Sequence, residues 1–140
     1  MRRNLILILA GGLILFSLSF WAATGQTADK GLGPIKDLKL GPVDKALAGK
    51  GKALFEDKCA MCHGLSEDKT GPALGDVLSR ETPEFVVNFL LNTSEMEQKD
   101  ARILGLIKDF GIPMPPQGLN KDQALSLLEY FRTTKKAGRP

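Results

Sequence analysis

The chain has 140 residues, 43% hydrophobic and 25% charged, the balance of one folded domain with a tail or leader and the wrong balance for a disordered chain. Nineteen basic residues face 16 acidic ones, for a formal charge of +3, and two of the basic ones, Arg2 and Arg3, precede a long apolar run. Without that pair the charges nearly cancel, which excludes a nucleic-acid binder; two Cys exclude a multi-disulfide scaffold, and a single His excludes any site built on two imidazoles.

In chain order, Met1-Arg2-Arg3-Asn4 followed by Leu5–Phe20 has the layout of a secretory leader, a positive region and then a hydrophobic core. Extended to Ala23, the apolar run would measure about 28 Å as a helix, close to the hydrocarbon thickness of a bilayer. Ala23 and Gly25 also offer small residues at a workable cleavage spacing. Residues 1–25 are therefore expected to be a signal peptide or an N-terminal membrane anchor, and both readings stay open. In either, Gln26 onward lies beyond the cytoplasmic membrane, on the periplasmic side of a bacterial cell. Residues 26–43, with Gly31, Gly33-Pro34 and Gly41-Pro42, are expected to form an extended, solvated, flexible linker. The domain proper is expected over 44–140.

From Asp44 the pattern is helical, with no period-two run that would mark a strand. Asp44 caps a first helix through Phe55 towards Cys59, and Gly49 and Gly51 inside it call for a packing reason. Thr82-Pro83-Glu84 starts a second helix, with Phe85, Val86, Phe89 and Leu90 at helical spacing. Asp100 to Phe110 makes a third, with Ile103, Leu104, Leu106, Ile107 and Phe110 expected inside and Gly111 as its stop. Asn120 begins the last, with Gln123 placed for a capping box and Leu125, Leu127, Leu128 and Phe131 following. Four helices define a small all-α domain whose thin core invites a large apolar cofactor.

One motif is sharp: Cys59-Ala60-Met61-Cys62-His63. On a helix the two thiols share a face, where they can add to the two vinyl groups of a haem, and His63 can bring its imidazole to the iron. A thioredoxin-type Cys pair would want strands around it, and a structural zinc site would want ligands that the chain lacks. A plain disulfide would leave His63 unexplained. For the sixth iron position a second His does not exist, leaving Met61, Met96 and Met114, since Met1 lies in the leader. Met61 sits between the attachment Cys, and Met96 falls in the polar stretch Ser94-Glu95-Met96-Glu97, read as lying between helices. Met114 falls in Gly111-Ile112-Pro113-Met114-Pro115-Pro116, whose prolines would hold a weak thioether ligand at little entropic cost. A Met in such a loop is by composition more often plain packing, and the haem motif upstream tips the choice to ligation.

With these residues in view, the chain resembles the class I c-type cytochromes over roughly Asp44 to Arg132. Cys59, Cys62 and His63 match the family's attachment site, and Met114-Pro115 followed by Leu119 and a last helix matches its distal ligand loop. Gly71-Pro72-x-Leu74 matches the segment in which the Pro carbonyl accepts the proximal His proton, so the resemblance gives Pro72 the role of orienting His63. Gly51 and Phe55, with Leu127 and Tyr130, resemble the family's contact between first and last helices. The resemblance implies one covalent haem c with its iron held by His63 and Met114, in a one-electron carrier rather than an enzyme. It departs from some relatives in having no Trp after Trp21 for a haem propionate; Arg80 is the nearest basic candidate, beside the plainer reading of a solvated surface Arg. Lys45, Lys50, Lys52, Lys58 and Lys69 alternate with acids and are read as a mixed surface without strong steering.

Implied partners are a respiratory donor complex and a terminal oxidase or reductase. Leu40–Asp44 and Lys50-Gly51-Lys52 are reminiscent of small cytochromes that feed such enzymes, nitrous-oxide reductase among them. Two alternatives belong to other classes: a haem subunit fixed to a membrane complex, and a haem sensor or peroxidase whose sixth ligand leaves. The second lacks an obvious distal acid–base pair, since the one His is taken.

Overall fold

The structure, a computed structural model, describes residues 29–134; the apolar leader, the expected anchor or cleavage site and the last six residues lie outside them. Among the described residues there are six helices and no strand: α1 Lys45–Lys58, α2 Val77–Arg80, α3 Pro83–Leu91, α4 Thr93–Lys99, α5 Ala101–Phe110 and α6 Lys121–Thr134. None of them is long and apolar enough to cross a membrane.

The helix starts follow from local hydrogen-bond chemistry. Asp44 caps α1 by accepting from the Leu47 N–H at 2.9 Å, and the Thr82 hydroxyl accepts from Phe85 at 3.1 Å with Pro83 at the first helical position. The Asp100 carboxylate takes the Arg102 and Ile103 N–H groups of α5, which ends on Gly111 at φ +74°. Asn120 and Gln123 exchange side-chain-to-backbone bonds of 2.9 and 3.0 Å, a capping box for α6.

The first and last helices form the frame. At their crossing Gly51 lies directly against the Ser126 carbonyl, so closely that a Cβ there would collide with backbone. Phe55 then meets Tyr130 at 5.6 Å between ring centroids and Phe131 edge-on at 6.1 Å, and Leu127 is fully buried beside them. Gly49, by contrast, faces open space and has no packing role. A second cluster, Ile35, Val87, Ala124 and Leu128, joins α3 to α6, and a third, Phe85, Met96 and Ile103, joins α3 to α4 and α5.

Two short helices were not expected. α2 is a single turn, and α4, Thr93–Lys99, is polar but for Met96, so it carries no amphipathic stripe. Met96 is therefore not in an inter-helix stretch: it is the knob of α4, at 0% exposure in the third cluster. Helix α5 is also less buried than its pattern suggested. Ile103 and Ile107, one turn apart, pack towards Phe85 and Met96, while Leu104 and Leu106 are exposed on the rest of an apolar arc wider than those partners cover.

The larger difference is the segment before α1. Residues 29–43 form no helix or strand, but they do not float free as a linker: residues 30–38 strap the back of α3, and Gly41 accepts from Arg132 of α6. Asn88, at 0% exposure, accepts from the Ile35 N–H at 2.9 Å and gives its two amide protons to the Lys30 and Ile35 carbonyls at 2.8 Å each. Leu38 donates to Glu84, Asn92 donates to the Leu32 carbonyl, and Ile35 is buried. At the strap's start, Arg102 lies 3.6 Å over the Phe85 ring and pairs with Asp29 at 3.0 Å, Glu81 at 2.5 Å and Asp100 at 3.4 Å. Burial pushes the Glu81 carboxyl up, and this outweighs the opposing pull of Arg102. With the strap behind it, α3 is buried on both sides from Glu84 to Asn88, and not on a single stripe.

Candidate functional site

The end of α1 turns tightly into the motif. Cys59 closes the helix by donating to Phe55, and the Cys59 carbonyl then accepts from both Cys62 at 3.0 Å and His63 at 2.9 Å. This turn buries Cys59, leaves Cys62 half-buried, and throws Met61 out to 86% exposure. Burial pushes the Cys59 thiol up to about 11, so at neutral pH it is held as a thiol rather than a thiolate.

Beyond His63 the chain loops back and is stitched onto the motif. Gly71 donates to Cys62, Leu74 to Gly64 and Gly75 to Leu65, each at 2.9 Å. That return places the Pro72 carbonyl 2.8 Å from His63 Nδ1. A carbonyl can only accept, so Nδ1 carries the proton and the lone pair lies on Nε2, the nitrogen left for a metal. Gly71 lies flat against the same ring: a Cβ there would sit 2.5 Å from Cε1 and 3.0 Å from Nδ1. Ala73 is held at both its backbone groups, its N–H by Asp68 at 2.8 Å and its carbonyl by Arg80 at 2.6 Å. Arg80 is in turn paired with Asp76 at 2.9 Å, so it is an exposed Arg whose guanidinium is already engaged by its own loop and helix. Lys69 likewise reaches back to the Ala60 carbonyl.

The three Met candidates separate by environment. Met61 points to solvent and Met96 is locked in the core, with its methyl against the Gly31 backbone. Met114 is half-buried on the loop between α5 and α6, and its N–H donates to Glu97 at 2.6 Å. It comes from a separate part of the fold and is bonded to α4 rather than to the Cys59–His63 turn. Glu97, Gly71 as a wall of the ring, and the Asp68–Ala73–Arg80 grip were not read from the sequence. A hint for Gly71 lay in its place before Pro72; nothing local pointed to Glu97.

The donor set fits a haem. Among the described residues no group of three or more His, Cys, Asp or Glu side chains could hold a metal ion. The turn contributes a buried and a half-buried thiol three residues apart and an imidazole whose Nε2 lone pair is left for a metal.

The comparisons with known proteins agree. The Cytochrome c family model matches residues 48–135. Cytochrome c-551 of Stutzerimonas stutzeri is 34% identical over 92 residues, covering 64% of this chain and 82% of that protein. A cytochrome c-553-like protein of Synechocystis sp. is 27% identical over 90 residues, 64% of this chain and 70% of its own. Among solved structures, cytochrome c from Rhodothermus marinus superposes with a TM-score of 0.72 at 38% identity, over 74% of this chain and 90% of that one. An engineered form of it bound to a carbene intermediate superposes at 0.69 with 37% identity, over 74% and 91%.

The fold and the turn at the end of α1 are those of a small all-α haem protein. The chain belongs to the cytochrome c family, as a class I monohaem c-type cytochrome carrying covalently bound haem c and its iron.

Proposed function

We propose that this cytochrome is a one-electron carrier between respiratory partners outside the cytoplasmic membrane, with haem joined to Cys59 and Cys62 and iron ligated by His63 and Met114. The observation that carries this reading is the 2.8 Å contact between His63 Nδ1 and the Pro72 carbonyl, with Gly71 closed against the ring. It holds the imidazole in one tautomer and one orientation, as a proximal ligand needs.

The haem supplies an iron that alternates between the ferric and ferrous states. The chain's residues keep that change small in structural cost. His63 is fixed by Pro72 and Gly71, and Pro72 is fixed through Asp68 and Arg80 on Ala73. Met114 lies between two prolines, so its backbone has little room to move. A neutral thioether favours the reduced state more than a harder ligand would, and two protein ligands leave no open position for a small molecule. These are requirements for transfer of an electron without bond-making.

The leader pattern over residues 1–25 supports a periplasmic site of action, anchored or secreted. The near balance of charge beyond it supports docking without strong electrostatic steering. A respiratory donor complex and a terminal oxidase or reductase, nitrous-oxide reductase included, are the partners that suit such a carrier.

The test is the ferric absorption spectrum of the haem-matured protein and of Met114→Ala. The wild type is expected to show the weak long-wavelength sulfur-to-iron band, and the variant to lose it and to bind cyanide readily. A wild type without the band that takes up cyanide, or carbon monoxide once reduced, would have an open iron, and the sensor or peroxidase reading would replace the carrier. Co-purification with a membrane complex at fixed stoichiometry would make it a bound subunit instead.

A further inference from the structure

The loop that presents Met114 is unusual in its hydrogen-bonding capacity. Residues 113–116 read Pro-Met-Pro-Pro, and proline has no N–H, so this stretch possesses a single backbone donor, that of Met114. That donor is taken by the Glu97 carboxylate at 2.6 Å, across 17 residues of chain. A hydrogen bond to an ionised acceptor is among the stronger kinds available to a backbone amide.

Glu97 is itself well founded. It lies on α4 next to Met96, which is fully buried, and one turn after Thr93, which is buried with its hydroxyl on the Phe89 carbonyl at 2.8 Å. On the same helix Lys99 pairs with Glu95 at 2.8 Å, which leaves Glu97 to the loop.

We propose that Glu97 is the positioning residue of the distal loop: its carboxylate grips the only N–H of Pro113–Pro116 and so aims the Met114 side chain. The geometry accounts for the backbone on each side of Met114. The fixed ring of Pro113 restricts the approach, Pro115 drives Met114 towards extended ψ, and the Glu97 bond fixes the peptide plane between Pro113 and Met114. What remains free is the flexible thioether side chain. The proposal rests on Met114 as the sixth ligand for its functional consequence, but the grip itself is a property of the loop and is measured separately.

The experiment uses the haem-matured protein as wild type, Glu97→Ala, Glu97→Gln and Glu97→Asp, at one fixed pH. Two quantities are read: hydrogen exchange of the Met114 amide in the reduced protein, and the rate at which imidazole displaces the sixth ligand in the oxidised protein. Glu97→Ala is expected to speed both about tenfold or more, the scale of one hydrogen bond to a charged group. Glu97→Gln keeps an acceptor oxygen and is expected to recover most of the protection. If Glu97→Ala does not mature, Glu97→Asp, one methylene short, must show the faster exchange instead. Met114 exchange equal to wild type in whichever of these variants matures would overturn the grip. Faster exchange in a protein whose wild type lacks the sulfur-to-iron band would uphold the grip while removing Met114 from the iron.

Discussion

His63 has its orientation decided by two neighbours that act in different ways. The Pro72 carbonyl selects the tautomer, while Gly71 sets the ring plane by having no side chain. Replacing Gly71 with Ala would put a methyl 2.5 Å from the ring carbon Cε1. The ring must then tilt off Pro72, and a neighbouring backbone stitched to Cys62 cannot retreat to spare it. Gly71→Ala is expected to cost about 1–3 kcal/mol of holoprotein stability, as overpacking does. It should also shift the reduction potential, a readout that a purely structural defect elsewhere would leave alone. Denaturant unfolding and a redox titration of the same samples check both. The motif of this turn was readable, because two Cys and a His within five residues meet through local geometry. Gly71's part was not, because it depends on the chain returning after eight residues to the face of its own His.

Among the elements, the strap and α3 depend on one amide. Asn88 makes three hydrogen bonds to residues 30–35 at zero exposure. Asn88→Ala would leave an N–H and two carbonyls without those partners, and is expected to cost about 2–4 kcal/mol with loss of amide protection at Ile35. Asn92→Ala, which removes exposed bonds only, is expected to stay within about 0.5 kcal/mol. Guanidinium midpoints for the two variants provide the comparison. Helix starts were legible because a cap reaches only two or three residues, as at Asp44, Thr82, Asp100 and Asn120. The strap was not, since glycines and prolines read as a solvated linker; Gly31 and Gly33 in fact let the chain pass close over Met96, Phe85 and Asn88. A polar Asn in the otherwise apolar run Phe85–Leu91 was the one available signal. Helix α4 hid for the opposite reason, being too polar to show a stripe.

The molecule as a whole is closed by its first and last helices, whose contact at Gly51 admits no Cβ because the opposing atom is the Ser126 backbone carbonyl. Gly51→Ala must separate α1 from α6, and the aromatic contacts of Phe55 with Tyr130 and Phe131 loosen with them. The expected cost is about 2–3 kcal/mol despite the better helix propensity of Ala, measured by thermal and denaturant unfolding of the holoprotein. Gly49→Ala, two residues away and facing open space, is expected to stabilise by up to about 1 kcal/mol. The sign change between the two glycines is the check on the packing account.

The sequence by itself determined what rests on neighbours along the chain: an all-α architecture, the cap residues, and the Cys59–Cys62–His63 turn. Capping and the spacing of thiols on a helix act over a few residues, so they are written locally. The tertiary structure alone decided that Met96 is core, that residues 30–38 bind α3, that Gly51 and not Gly49 is a contact, and that Glu97 holds the Met114 loop. Each of these joins separate elements, across 7 residues for Met96 with Ile103 and up to 75 for Gly51 with Ser126, where the choice between solvent and partner is made by packing and not by the residues' own preferences.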